Sequence, residues 1–344
     1  MNEKRKLMYK ELTSLHGVSM NEDEVRKYMY NKLSLYTNEF VYDGLGSVFG
    51  KFGNKGPTIL IAAHMDEVGA FVAGFKDNGL IKIELLGGIN NDLLIGQCMV
   101  LKVDDQYIKG VISSTPPHLD KKSEELLFDI GAFSKEEVLS YKIKVGDVLT
   151  FENNYFETYN KKNFSNKALD DRVGCAIVLE VAKLIKNANL NSQVYIGGSI
   201  AEEVGLYGGN TITSVINPDI FVAVDISPSD EHIKESSVRI GGGVLIRHTD
   251  PGNIMPVNAR IYIEKVASKN KILLQDYFAK GRTDAASAQY QNSGCVSFTL
   301  AICAKYIHSP VGMINYDDID SLVKLIHKFI ISIDENSIKK VRVV

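Results

Sequence analysis

The run Thr58-Ile59-Leu60-Ile61-Ala62 is almost wholly apolar and does not alternate, and Ile220-Phe221-Val222-Ala223-Val224 repeats the pattern. Successive side chains of a strand point to opposite faces, so such a run needs both faces covered. That is the condition of a sheet packed between helices. Val194-Tyr195-Ile196 and Val296-Ser297-Phe298-Thr299-Leu300 read as further strands. Between these runs the spacing turns helical. Val173, Ala176, Ile177, Glu180, Val181, Leu184 and Ile185 form one segment, and Val257 to Ala267 another. A last helix is expected from Asp317, with Asp320 at a capping-box-like offset, through Leu322, Leu325, Ile326 and Phe329. Strands alternating with helices predict an α/β fold with a mixed, mostly parallel sheet between helical layers.

The first residues read as two helices. One carries Leu7, Met8, Glu11, Leu12 and Leu15 and stops at Gly17; the next carries Val25, Tyr28, Met29 and Leu33, with Ser19 or Asn21 as its cap. Asp43-Gly44 and the glycines at 46, 50 and 53 mark hairpin turns. From about residue 70 the rhythm changes. Phe71-Val72-Ala73, Leu80 to Ile83, Met99 to Val103 and Ile108 to Ile112 are short runs broken by Gly, Asp and Asn, with one short helical piece near Ser134 to Leu139. The expectation is a catalytic domain made of residues 1–69 and 164–344, split by an inserted small β-barrel domain at 70–163.

Composition bounds the function classes. A formal charge of −3 over 344 residues disfavours a basic nucleic-acid binder and a polybasic membrane anchor. Residues 1–17 are charged throughout, which does not resemble a signal peptide, and no apolar run reaches membrane-spanning length. The four cysteines, Cys98, Cys175, Cys295 and Cys303, are scattered and read as reduced, in a cytoplasmic protein.

Five places set polar residues directly after apolar runs, where open α/β sheets bind ligands. They are His64-Met65-Asp66-Glu67, Asp170-Asp171-Arg172, Glu202-Glu203, Asp225 and His308. Singly each has a plain structural reading: a solvated strand-end histidine, acids at a helix N-terminus, a charged loop, a turn. Jointly, two histidines and several carboxylates suit zinc, cobalt or manganese. One histidine and one carboxylate per ion, plus a shared carboxylate, would build a two-metal site, with a neighbouring glutamate to shuttle protons. A glycosidase could use the carboxylate pairs, but it would leave the histidines idle.

In this order the motifs resemble the tetrahedral, dodecameric co-catalytic aminopeptidases of metallopeptidase family forty-two, which include glutamyl and deblocking enzymes. His64-Met65-Asp66-Glu67-Val68-Gly69, Lys167-Ala168-Leu169-Asp170-Asp171-Arg172, Glu202-Glu203-Val204-Gly205 and Tyr306-Ile307-His308-Ser309-Pro310-Val311 carry the resemblance. Gly110 to Leu119 and Asp129 to Ala132, inside the insert, are similar to family sequence too. The resemblance implies a phosphorylase/hydrolase-like aminopeptidase core with the inserted barrel. It implies that His64 and Asp225 hold one divalent ion, Glu203 and His308 a second, and that Asp170 bridges them. Glu202 would be general base and acid, Asp66 would orient His64, and Asp171 would sit behind the ligands. His118 also matches a family position, without a catalytic role. The implied activity is removal of N-terminal residues from short peptides by a metal-activated water, in a homo-oligomer. A deacylase of N-acyl amino acids and a non-catalytic oligomeric relative are the alternatives.

Three positions depart from the family pattern: Gly312 replaces an expected acid, and Arg282 and Ala286 replace expected glycines. These bear on the preferred N-terminal residue and leave the five ligand positions untouched. Arg282 reads either as a partner for an acidic first residue or as a surface arginine, the plainer reading.

Overall fold

The structure is a computed structural model and describes residues 1–115, 125–229, 231 and 238–342. His118 and the neighbouring part of its motif lie outside the described residues.

Helices α1 (Glu3–Ser14) and α2 (Asp23–Leu33) precede the hairpin of β1 (Phe40–Tyr42) and β2 (Val48–Phe52), and then β3 (Thr58–His64). The next strands are β4 (Gly69–Phe75), β5 (Ile81–Leu86), β6 (Cys98–Val103), β7 (Gln106–Ile112), β8 (Leu127–Asp129) and β9 (Val148–Phe151), with α3 (Lys135–Ser140) before β9. After β10 (Phe156–Glu157) and β11 (Asn163–Asn166) come α4 (Leu169–Ile185), β12 (Gln193–Ser199), α5 (Tyr207–Ile216) and β13 (Ile220–Pro228). The remainder is β14 (Val244–Thr249), α6 (Val257–Lys269), β15 (Leu274–Phe278), α7 (Asp284–Ala288), β16 (Val296–Lys305), β17 (Gly312–Asn315), α8 (Tyr316–Ser332) and α9 (Ile338–Val341).

The large sheet has the order β1-β2-β12-β3-β13-β16-β17-β11-β10, with β14 on β16 and β15 on β14. Its centre, β12-β3-β13-β16, runs parallel, as the apolar runs require. Antiparallel strands extend it on both flanks. Both faces are covered. Ile59 and Ile61 join the core under α1, α2, α4, α6 and α8, whereas Leu60 and Ala62 point to the cluster under α5 and α7. The chain between β3 and β11 closes into a six-stranded antiparallel barrel, β4-β5-β8-β7-β6-β9, around Val72, Ile81, Leu101, Phe128 and Leu149.

Local differences from the sequence expectations have physical reasons. Glu22, not Ser19 or Asn21, precedes α2, and no side chain caps it. Ser19 instead donates to Asp66 Oδ2 at 2.6 Å. Asn315 caps α8 by accepting from Asp317 N, while Asp320 pairs with Arg5 at 2.6 Å. Asp225 lies within β13, which continues to Pro228 through pairing with β16, and is not at a strand terminus. β14, β15 and β17 carry no strong alternation and are held by their partner strands. Among the described residues no disulfide joins the four cysteines, and no helix is long and apolar enough to cross a membrane.

Candidate active site

Parallel strands deliver their C-terminal ends to one edge of a sheet, and the site assembles there. His64 ends β3 and sits beside Ser199, the last residue of β12, which leads to Glu202 and Glu203. Asp225 is supplied by β13 and His308 by the loop after β16. Asp170 and Asp171 open α4 in non-helical conformations, joined by a cis peptide bond.

Asp170 stands at the centre. Its Oδ1 lies 2.9 Å from His64 Nε2 and its Oδ2 lies 3.4 Å from His308 Nε2. Glu203 Oε1 is 3.1 Å from the same His308 nitrogen. Two overlapping donor groups result, His64–Asp170–Asp225 and Asp170–Glu203–His308, with the donor atoms of each within 4.8 Å of one another. All five residues proposed from sequence as ligands therefore converge, and Asp170 belongs to both groups.

Each imidazole is oriented from behind. His64 Nδ1 is 3.2 Å from Asp66 Oδ1, and His308 Nδ1 is 2.7 Å from the carbonyl of Gly88. An acceptor at Nδ1 places the proton there and leaves the Nε2 lone pair for the site. Gly88 belongs to the loop after β5, so the barrel reaches the site. Gly87 has φ +81°, and a Cβ there would come within 2.6 Å of Val68.

Asp66 is fully buried. Its Oδ1 accepts from Glu202 N at 3.0 Å, and its Oδ2 accepts from Glu203 N at 3.1 Å and from Ser19. Burial alone would raise its pKa, but His64, Ser19 and the Glu202 amide hold it below the usual carboxylate range. Asp171 is used differently: one oxygen accepts from His64 N at 3.1 Å and the other from Gly174 N at 3.0 Å. A Cβ at Gly174 would meet the Asp171 carboxylate at 2.2 Å, so only glycine fits there.

The charge balance shows what the site is suited to hold. Burial pushes Asp225 up to about 8, with Asp170 adding to the rise against His64 and Arg247. Burial also raises Glu202 and Glu203, and Asp225 and Glu203 add to the rise of Glu202. Burial opposes the charge on His308, yet Asp170 and Glu203 lift it to about 11. A cluster so rich in carboxylates, with two imidazole lone pairs aimed into it, is a donor set for divalent cations. The residues therefore fit two ions of that kind.

Several neighbours escaped the sequence reading. Asp284 is buried, accepts from Ser199 Oγ at 2.6 Å and from Gly209 N at 3.2 Å, and is pushed by burial up to about 6. Arg247 is buried near Asp225, donates to the Gly281 carbonyl, and has its Nε 3.7 Å from Asp250 Oδ2, with no hydrogen-bond partner among the described residues. Arg247 lies within the six-residue β14 and Asp284 opens the five-residue α7, segments too short to mark them. Of the three departures, Gly312 lines a narrow pocket beside Asp170 and His308, together with Val68, Phe151 and Leu169. Arg282 is exposed and Ala286 is buried.

The chain is similar to known proteins over nearly its whole length. The family model for M42 glutamyl aminopeptidase matches residues 46–325. The glutamyl aminopeptidase of Lactococcus lactis is 33% identical over 97% of this chain and 98% of that protein. The TET aminopeptidase of the marine sediment archaeon Thaumarchaeota SCGC AB-539-E09 superposes with a TM-score of 0.95 at 30% identity, covering 99% of this chain and 100% of that one. The TET1 peptidase of Pyrococcus horikoshii, which can assemble into a tetrahedron or a large octahedral shell, gives 0.87 at 29% identity over 96% and 100%. The chain belongs to the M42 glutamyl aminopeptidase family and is an aminopeptidase hydrolase.

Proposed function

We propose that this aminopeptidase depends on two divalent ions, zinc or cobalt first and manganese next. His64 and Asp225 hold one ion, Glu203 and His308 the other, and Asp170 bridges them. The observation that carries this reading is the pair of donor groups sharing Asp170. When bound, such ions polarise a scissile carbonyl and lower the pKa of water. Glu202, raised by burial, is suited to accept the proton of the attacking water and return it to the leaving amine; a positioned general base contributes about 10²–10⁴-fold. Asp66 keeps the Nδ1 proton of His64 in place, and its hold on the Glu202 and Glu203 amides fixes the loop that carries the base.

The substrates are short peptides, and self-assembly restricts access to them. The shell-forming Pyrococcus horikoshii relative supports a homo-oligomer, with a dodecamer the expected form. The same reading takes 1–69 with 164–344 as the catalytic unit and 70–163 as an insert whose Gly88 carbonyl supports His308. The test is a panel of aminoacyl chromogenic substrates and N-acylated amino acids, with and without chelator. Cleavage confined to free amines, lost on chelation and restored by zinc or cobalt, is expected. Chelator-resistant turnover or preference for acylated substrates would overturn the proposal.

A further inference from the structure

The loop Gly17–Glu22 precedes α2 and lies outside residues 46–325, the stretch matched by the family model. It is nonetheless built into the site. The Gly17 carbonyl accepts from Glu67 N at 3.0 Å and from Arg172 Nη2 at 2.9 Å, and Val18 bridges to Glu67. These contacts lock the loop beneath the segment that follows β3.

Two side chains of the loop then reach the groups around Glu202. Ser19, 2% exposed, donates to Asp66 Oδ2 at 2.6 Å. Glu22, 3% exposed, accepts from the amide of Ala201 at 3.0 Å through Oε1. Ala201 has φ +51°, in the left-handed region, and immediately precedes Glu202. Among the described residues Asp66 has four close donors: His64 Nδ1, the amides of Glu202 and Glu203, and the Ser19 hydroxyl. The first three are the groups that Asp66 positions. The serine is the one that positions Asp66. A hydroxyl to a carboxylate is a short, charge-assisted bond. Without it, Oδ2 keeps one amide and the carboxylate can rotate away from both His64 and the Glu202–Glu203 backbone.

We propose that Ser19 is a positioning residue of the aminopeptidase, acting through Asp66 on His64 and on the Glu202 loop, with Glu22 pinning the backbone just before the base. This rests on the assignment of Glu202 and His64 made above. Outer-layer partners of this kind typically change activity or metal affinity by about 10–100-fold when removed.

The test combines kinetics with amide hydrogen exchange on Ser19→Ala, Ser19→Thr and Glu202→Gln. In Ser19→Ala, kcat is expected to fall about tenfold with KM within about twofold of wild type, the lower end of that range. In the metal-free protein, the Glu202 and Glu203 amides are expected to exchange at least about tenfold faster while those of α4 are unchanged. Ser19→Thr, which retains the hydroxyl, should restore both. Exchange that rises equally throughout the chain would mark a merely structural serine and overturn the proposal, as would unchanged exchange with unchanged kcat. If the two amides loosen selectively but neither Ser19→Ala nor Glu202→Gln alters turnover, the positioning contact stands and the assignment of Glu202 as base fails.

Discussion

Replacing Glu67 by Gln should destabilise the protein through two buried cations. Lys167 Nζ sits 2.6 and 2.8 Å from the Glu67 oxygens and 2.7 Å from the Leu15 carbonyl. Arg172 Nη2 is 3.3 Å from Glu67, and its other nitrogens donate to the carbonyls of Met65, Leu12 and Leu15. Both cations are fully buried. Breaking a buried ion pair from one side costs about 3–5 kcal/mol. The share borne by Lys167 is bounded. Burial drives it down to about 8 against the pull of Glu67, so holding its charge at pH 7 already costs roughly 3.4 kcal/mol. Complete escape to the neutral amine costs roughly 4.8 kcal/mol from the ordinary value, so Glu67→Gln can add no more than about 1.4 kcal/mol through this residue. Arg172 cannot deprotonate and carries the rest. With about 2.1 cal/mol/K of unfolding entropy per residue, 3–5 kcal/mol lowers the melting temperature by roughly 4–7 °C. Scanning calorimetry on metal-free protein reads this without linkage to bound ions. The pH dependence has a definite sign. Folded Lys167 holds its proton less tightly than unfolded lysine, so its contribution is fully present above about 10.5 and is lost as pH falls through about 8. The double variant Glu67→Gln/Lys167→Met should lose less than the sum of the single variants, because the orphaned cation is gone. A Glu67→Gln melting temperature within about 1 °C of wild type, or strict additivity, would refute the reasoning.

Two further outcomes follow from the geometry. Asp225→Asn should lower the zinc or cobalt content from two ions to about one per chain by atomic emission, with a small change in melting temperature, because Asp225 serves only one of the two donor groups. Gly87→Ala should cut kcat by about tenfold, since a Cβ 2.6 Å from Val68 at φ +81° displaces the Gly88 carbonyl from His308; steady-state kinetics beside a melting curve separates this from unfolding.

The central strands were readable because a strand buried on both faces must be apolar throughout. Ile59 to Ala62 and Ile220 to Val224 admit few other arrangements. Four of the five donor residues were visible as candidates for a related reason: His64, Glu203, Asp225 and His308 interrupt or follow those runs, and the family resemblance supplied their roles and that of Asp170. What stayed hidden depends on chain closure. Ser19 is equally good as a helix cap, and no local pattern says that it meets Asp66 47 residues away. The Gly88 carbonyl that orients His308 is a backbone group, so it has no residue signature at all. Strands such as β14 and β17 are short and form because a neighbour offers an edge. Asp225 was misplaced to a strand end because a carboxylate normally stops an apolar run. Here β13 continues through it, held by β16.

The central claim is that Glu202 moves the proton beside two ions held by five residues. The most direct measurement is metal content and turnover of Glu202→Gln against wild type, on a free-amine aminoacyl substrate. Two equivalents of zinc or cobalt are expected in both proteins, with a loss of turnover of about 10²–10⁴-fold in the variant. Wild-type turnover in Glu202→Gln, or fewer than two ions in saturated wild-type protein, would contradict it.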